Sequence, residues 1–297
     1  MGVESEKSPE VSNTKRPKIG VVDVGGGLRD IFGAGVFDRC IDEDIWFDYA
    51  IGVSAGSANL VSYLAGQRAR AYEFYINYAF RPEYMGMRNF LRSGSYVDLD
   101  YIYGTLSGSQ GENPLDYEAF LNRATPFDVV ATNAETGQPI YLSSELMSQD
   151  DYGAIKASCC VPGVNKPYVW RGDSYYDGGM SDPIPFRKAF EAGCEKVVVV
   201  LTRPKAYRRE AKADDLTVAL IKHRHPQAAE TMRHRAELYN RQLDDLLKLE
   251  AEGKALVLAP QAEDVDQLHT LTKDHDLMQA LYERGYDTAF AIRDFVG

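Results

Sequence analysis

Twice within its first seventy residues the chain runs an apolar, β-branched stretch into a glycine-flanked turn and then into a helical pattern. IGVVDV (19–24) leads into GGG, and FDYAIGV (47–53) leads into SAGSANLVSYLAG. Uninterrupted apolar runs of this length mark strands covered on both faces. Strands that alternate with helices pair in parallel, because the crossover helix must return across a face of the sheet. The expected fold is therefore α/β: a central, mostly parallel sheet flanked by helices in three α/β/α layers. The first helix is expected over about 28–43, with Ile31, Ala34, Gly35, Asp38 and Ile41 marking its turns, and the second closes at Gly66.

Further along, 67–124 reads as interrupted helix rich in Tyr, Phe and Met, from Tyr72, Phe74 and Tyr75 through Tyr84, Met85, Met87 and Phe90. That composition suits a core or the wall and lid of an apolar pocket. FDVVATNAETGQPIYL (127–142) predicts a hairpin turning at Gly137. A helix is expected over 150–159, ending before Pro162, and a strand pair over 168–176 turning at Gly172. A helix over 185–192 and the strand KVVVVL restore the alternation. The last third predicts a long polar helix or helix pair over 216–252, the strand ALVLAP and a terminal helix from about Asp274. With 297 residues, 44% of them hydrophobic, and no Pro/Gly/Ser-rich linker, one domain is expected over 18–297. Its motifs fall in 18–201 and its C-terminal part, 202–297, is helical. Residues 1–17 form a polar tail expected to be disordered.

A formal net charge of -11 excludes a general attraction to nucleic acid. The richest basic stretches, 203–209 and 222–235, read as solvated helix faces. Cys40, Cys159, Cys160 and Cys194 have no zinc-site spacing and read as buried, reduced thiols. The N-terminal residues lack the apolar stretch of a signal peptide, and no later run reaches membrane-spanning length, so the expected location is the cytoplasm.

Three segments could carry chemistry. GVSAG (52–56) matches the nucleophile-elbow pattern, in which a sharp strand-to-helix turn holds Ser54 out of the sheet while Gly52 and Gly56 give the turn room. Alone the pattern is weak and fits an N-capping serine equally; its setting between a strand and a helix is the one the motif requires. VGGGLRD (24–30) could aim backbone amides at a pyrophosphate or at an oxyanion. A dinucleotide fingerprint counted from Gly25 and Gly27 needs a third glycine at position 30, where Asp30 stands, so nucleotide binding is disfavoured. Arg29 either adds positive charge there or serves structure. YYDGGMSDPIP (175–185) sets Asp177 before Gly178 and Gly179, which permit close backbone approach. A Ser-Asp-His triad would draw on His223, His225, His234, His269 or His275, but all five lie in charged, polar stretches. The other base for Ser54 is Asp177 itself, made effective by burial and by hydrogen-bond reach.

In their order, the GGGLR loop, the GVSAG elbow, the ASCCVPGV segment (157–164) and the DGG at Asp177 resemble the patatin-like phospholipase family, its bacterial members in particular. The likeness covers most of 18–201 and is loose beyond. It implies an oxyanion hole at Gly25, Gly26, Gly27 and Arg29, a nucleophile at Ser54, and a Ser-Asp dyad completed by Asp177 without histidine. The family loop reads GGGxRG, and Asp30 in place of its last glycine raises the question of how tightly the following helix packs on the sheet. The implied activity is hydrolysis of lipid carboxylic esters through an acyl-enzyme, by a phospholipase A, lysophospholipase or lipid esterase, with no cofactor. Partners would be a lipid or small ester and, transiently, a membrane surface. Two alternatives stand beside it: a non-catalytic protein that binds acyl chains or a partner on the same fold, and a Ser-Asp-His esterase.

Overall fold

The computed structural model describes residues 16–265, 270–271 and 273–297; the expected tail falls, over 1–15, outside the described residues. Eight strands form one sheet: β1 (Ile19–Asp23), β2 (Tyr49–Val53), β3 (Phe127–Asn133), β4 (Pro139–Ser143), β5 (Tyr168–Trp170), β6 (Asp173–Asp177), β7 (Lys196–Val200) and β8 (Ala255–Leu258). Their order is β5-β6-β3-β2-β1-β7-β8, with β4 paired to β3. The five strands β3, β2, β1, β7 and β8 run parallel, and β4, β5 and β6 add antiparallel pairs. The helices are α1 (Ile31–Asp42), α2 (Ala55–Leu64), α3 (Arg70–Ile76), α4 (Met87–Ser93), α5 (Tyr117–Arg123), α6 (Gly153–Ser158), α7 (Phe186–Glu191), α8 (Asp215–Ile221), α9 (Pro226–Ala251), α10 (Ala262–Val265), α11 (His275–Thr288) and α12 (Ala291–Val296).

The apolar runs alternate between two cores, which gives the three layers. Ile19 and Val21 of β1, Ala50 of β2 and Val198 and Val200 of β7 pack with α1, α2 and α11. Val22, Ile51, Val53, Val197 and Val199 face the other way, against α7 and α9. Every residue of β1 and β2 is buried, so both faces of a central strand must be apolar, and the period-two signal vanishes from the sequence. Of the long helix or helix pair expected over 216–252, the structure has the pair, α8 and α9, broken where Pro226 starts α9. Gly137, Gly172 and Gly66 turn the chain in left-handed conformations where the hairpin, the strand pair and the end of α2 were expected.

Along β3, Val53 is in register with Val130 and Asp177 with the next residue, Ala131. Because β2 runs parallel to β3 and β6 antiparallel to it, their carboxyl ends converge on one step of that strand. The loops after them are thereby brought together, as sheets of this class do with their binding crevices.

Asp30 does not loosen α1. The helix is buried from Ile31 to Asp38 and its closest approach is made by glycines further along. A Cβ on Gly35 would lie 2.1 Å from the Tyr282 carbonyl oxygen and 2.8 Å from the Tyr286 amide nitrogen, and one on Gly285 would lie 2.0 Å from the Phe32 carbonyl oxygen. Backbone cannot yield as a flexible side chain can. Gly35→Ala is therefore expected to destabilise the protein by about 1–3 kcal/mol, read as a lowered denaturation midpoint, whereas Gly35 tolerating alanine without loss would show that α1 and α11 are not in contact.

Candidate active site

Ser54 follows β2 directly and caps α2 with φ 54° and ψ −131°, a left-handed backbone at a non-glycine residue. Close packing imposes it. A Cβ on Gly52 would lie 2.5 Å from Ser57 Cα, and one on Gly56 would lie 2.5 Å from the Asp23 carbonyl oxygen. The turn is pinned from α6: Ser158 Oγ accepts the Ser54 amide at 2.7 Å and donates to the Val130 carbonyl at 2.5 Å. The Ser54 amide is thus committed to holding the elbow, while the amide of Ala55, first in α2, has no partner among the described residues.

Asp177 ends β6, caps the short turn at Gly178 and Gly179, and accepts the Gly179 amide at 2.8 Å. Its backbone is held by its own amide to the Cys160 carbonyl at 2.8 Å and by Thr132 Oγ1 to its carbonyl at 2.9 Å. A Cβ on Gly178 would lie 2.1 Å from the Val130 carbonyl oxygen, so only glycine lets the turn sit against β3. The Asp177 carboxyl is buried, and burial raises its pKa above the ordinary carboxylate range. The Ser54 hydroxyl beside it, the Gly179 amide and the Arg235 guanidinium pull it partly back.

The glycine loop lies alongside, with φ 66°, 155° and 62° at Gly25, Gly26 and Gly27. The Gly25 amide donates to Asp23 Oδ1 at 3.2 Å and the Leu28 amide to the Thr270 carbonyl at 2.8 Å. That leaves the amides of Gly26 and Gly27 without a partner among the described residues. Thr202 Oγ1 fixes the loop through the Gly25 carbonyl at 2.6 Å. Arg29 is buried, donates to Thr270 Oγ1 at 3.0 Å, and has its pKa lowered to about 10 by burial and by the nearby charge of Arg203.

Beneath the loop, Asp23 and Asp30 bury both carboxyls side by side. Asn59 Nδ2 donates to Asp23 Oδ2 at 3.2 Å and to the Asp30 carbonyl at 2.9 Å, and Tyr75 Oη donates to Asn59 Oδ1 at 3.0 Å. Drawn as a carboxylate, Asp30 has neither oxygen hydrogen-bonded. Burial raises both pKa values, and the charge of Asp23 drives that of Asp30 higher still. A proton on Asp30 therefore resolves both facts, because it donates to Asp23 and removes one of two adjacent buried charges.

Two cavities meet at Ser54. One, of about 270 Å³, is apolar and lined by Phe74, Tyr84, Met85, Leu99, Ile102 and Met232 among others. Thus four of the aromatic and Met residues of the interrupted helical stretch, Phe74, Tyr75, Tyr84 and Met85, are buried and also form the pocket wall. The other, of about 200 Å³, is the more polar of the two and is bounded by the glycine loop, Asp177 and four arginines. Three of these, Arg203, Arg209 and Arg235, come from the stretches expected to be solvated helix faces. The structure corrects that expectation for them, since the fold turns them inward onto the cleft. No histidine among the described residues lines either cavity, and His269 lies outside the described residues. All four cysteines are free, with Cys40, Cys160 and Cys194 buried and Cys159 half-buried. Among the described residues no helix is long and apolar enough to cross a membrane, and no group of three His, Cys, Asp or Glu side chains could hold a metal ion.

Sequence reading missed Ser158, Thr202, Arg235 and Thr270. Arg235 Nε donates to the Gly179 carbonyl at 2.6 Å, and nothing in the Glu-rich sequence around it separates it from its exposed neighbours.

Comparison with known proteins adds two family matches: the patatin-like phospholipase model over residues 24–190, and a domain of unknown function (DUF6363) over residues 225–292. An uncharacterized protein, YjjU of Escherichia coli (strain K12), is 30% identical over 202 residues, which span 63% of this chain and 52% of YjjU. The chain thus matches about half the length of that relative. VipD from Legionella pneumophila, a solved structure, superposes with a TM-score of 0.46 at 13% identity, covering 94% of this chain and 67% of that one.

The Asp23–Asp30 pair sets a pH signature. Below the unfolded aspartate pKa of about 4, Asp30 keeps its proton in both states. As pH rises past that value, the unfolded chain releases a proton that the folded chain retains, so folding loses stability until the raised folded pKa is passed. Asp30→Asn offers Asp23 an N–H donor with no proton to hold. Its melting temperature relative to wild type should climb between pH 4 and pH 7; a constant difference would mean that Asp30 is ionised in the fold.

Proposed function

Because the chain belongs to the patatin-like phospholipase family, a family of lipid acyl hydrolases whose model spans more than half of it, we propose that it hydrolyses carboxylic esters of lipids at Ser54 with Asp177 as base. The observation that carries the reading is the pairing of a serine in a left-handed elbow with a buried carboxyl beside its hydroxyl.

In the proposed reaction the Ser54 hydroxyl passes its proton to Asp177 as its oxygen attacks the ester carbonyl. The resulting oxyanion is met by the amides of Gly26, Gly27 and Ala55, with Arg29 adding positive charge and Gly25 shaping the turn. Collapse breaks the ester C–O bond, and Asp177 returns the proton to the departing alcohol. Water then attacks the acyl-enzyme, gives its proton to the same carboxylate, and frees the acid and Ser54. The raised pKa of Asp177 supports its role, since a more basic carboxylate is a better match for a serine proton.

The apolar cavity supports an acyl-chain site. Exposed Met87, Phe90 and Leu91 follow closely on cavity-lining Tyr84 and Met85, while exposed Leu216 and Leu220 flank cavity-lining Thr217. Together they would give the mouth an apolar rim for transient contact with a lipid surface. The acidic net charge would hold the protein off strongly anionic membranes.

Ser54→Ala should abolish turnover of short aryl esters and lysophospholipids and remove labelling by a fluorophosphonate. Wild type that resists the label while still binding acyl chains would favour the non-catalytic reading. Asp177→Asn should cost about a hundredfold to ten-thousandfold in kcat. Replacement of His269, in contrast, should leave the rate unchanged; its loss in a folded His269→Ala protein would overturn the dyad.

The kcat/KM profile should fall on the acid side, at a pH above the ordinary carboxylate range, because Asp177 must be ionised to act. Arg235→Gln removes a charge that lowers the Asp177 pKa, so it should move that limb to higher pH, while Arg235→Lys should leave it near its wild-type position. An acid limb insensitive to Arg235→Gln would disconnect it from Asp177.

A further inference from the structure

The two cavities both reach Ser54, and they differ in chemistry. If the acyl chain occupies the apolar one, the leaving alcohol is directed into the polar one. That cleft is lined by Arg29, Arg203, Arg209 and Arg235, with Tyr207 and Tyr239 between them. Two carboxylates oppose the four guanidiniums. Asp214 takes Arg209 at 2.6 Å and lies 3.6 Å from Arg235, and Asp177 sits at the catalytic end. With both acids ionised, two positive charges remain uncompensated among the described residues, in a protein whose total charge is -11.

The surplus falls on Arg29 and Arg203. Neither has a carboxylate within ion-pair reach among the described residues, and they repel each other, which helps lower the Arg29 pKa to about 10. Arg29 is only 7% exposed, and its Nε has no hydrogen-bond partner among the described residues. Arg203 stacks over the Tyr207 ring at 5.0 Å, and Tyr207 meets Tyr239 edge-on at 5.9 Å, which fixes the wall that carries it. A buried guanidinium with an unmet donor and a second unpaired one, both lining the same cleft, make an arrangement that an anion with several oxygens completes. Planar guanidinium forks match carboxylate and phosphate oxygens bidentately, and of these two groups phosphate is the one a lipid's leaving alcohol commonly carries.

On the acyl-hydrolase reading of Ser54, we propose that this cleft binds the phosphate of the leaving alcohol and selects esters whose alcohol ends in a phosphate monoester, the lysophosphatidic acid class. Neutral acylglycerols leave the surplus charge unmet, and a choline headgroup brings a cation against it. Arg203 is the specificity-determining residue, because it belongs to the cleft and takes no part in the elbow, the loop or the Asp177 turn.

The test compares short-chain lysophosphatidic acid, the matching monoacylglycerol and the matching lysophosphatidylcholine, all below their micelle-forming concentrations, with a neutral aryl ester as the report on the chemistry. Wild type is expected to favour lysophosphatidic acid at least tenfold in kcat/KM over both others. Arg203→Ala should collapse that ratio toward one, mainly through KM, and Arg203→Lys should keep part of it. Equal turnover of lysophosphatidic acid and monoacylglycerol by wild type overturns the proposal, as does a preference that survives Arg203→Ala. Binding of inorganic phosphate without that preference overturns it too, since the cleft then holds a free anion and not a headgroup.

If even the aryl ester is untouched and the fluorophosphonate does not label, the acyl-hydrolase reading has failed on its own account. The cleft is then judged by calorimetric titration with glycerol 3-phosphate. Saturable binding weakened at least tenfold by Arg203→Ala upholds a phosphate-ester site, and no binding overturns it.

Discussion

The candidate site hangs on one peptide step in the middle of the sheet, from Val130 to Ala131. The last residue of β2 is in register with the first of these and the last of β6 with the second. The Val130 carbonyl also takes the Ser158 hydroxyl that grips the Ser54 amide, and it leaves no room for a side chain on Gly178. Serine and aspartate, 123 residues apart by number, are thus brought together by strand register, with the helices supplying only the packing that enforces it. In a strand buried on both faces a one-residue slip would exchange the two cores, so the register is strongly specified. Alternating Val197, Val198, Val199 and Val200 of β7, divided between those cores, show the constraint acting one layer away.

The glycine loop solves a different problem, which is how to present backbone amides over a sheet edge without leaving the groups beneath them unsatisfied. Asp23 takes the Gly25 amide, Asn59 bridges Asp23 and the Asp30 backbone, and Tyr75 completes Asn59. A carboxyl at position 30 instead of the family's glycine is accommodated because its neighbour can accept its proton. The close approach of α1, which a glycine there would have served, is carried by Gly33 against the carboxyl pair itself, by Gly35 against α11 and by Gly285 of α11 against Phe32. Asp30 is therefore part of the floor beneath the loop, where a nucleotide's phosphates could not reach it.

How much of this was legible follows from the range of the physics involved. The strands, the hairpin turning at Gly137, the strand pair turning at Gly172 and the elbow at Ser54 are written locally, in β-branched runs that end at residues suited to a left-handed backbone. The Asp177 turn was equally visible, because two glycines after an acid at a strand end have few other uses. What escaped was decided by helices that return from far along the chain. Arg203, Arg209 and Arg235 stand in basic stretches that have the pattern of a solvated face, yet α9 packs so that Arg235 reaches the Gly179 carbonyl. Thr270, an ordinary polar residue in sequence, caps the Leu28 amide. No periodicity distinguishes a charge that faces water from one that faces a cleft; only the position of the second wall does.

That second wall explains why two family matches on one chain converge on one place. The patatin-like region, 24–190, holds the elbow, the loop and the Asp177 turn. The region 225–292 holds Arg235, Tyr239 and Thr270, each of which lines the polar cleft. Three of the contacts between the two regions fall on the site itself: Arg235 on the Gly179 carbonyl, and Thr270 on the Leu28 amide and the Arg29 guanidinium. Groups that would act on the ester bond are thereby fixed to strand ends, where register locates them to within a hydrogen bond. Groups that would read the rest of the substrate are borne on helices and turns, which can change sequence without disturbing that register. A cleft built in this way keeps its chemistry in the sheet and can acquire a new preference through the turns and helices around it, since a charge altered at Arg203, in the turn after β7, leaves every hydrogen bond of the elbow in place.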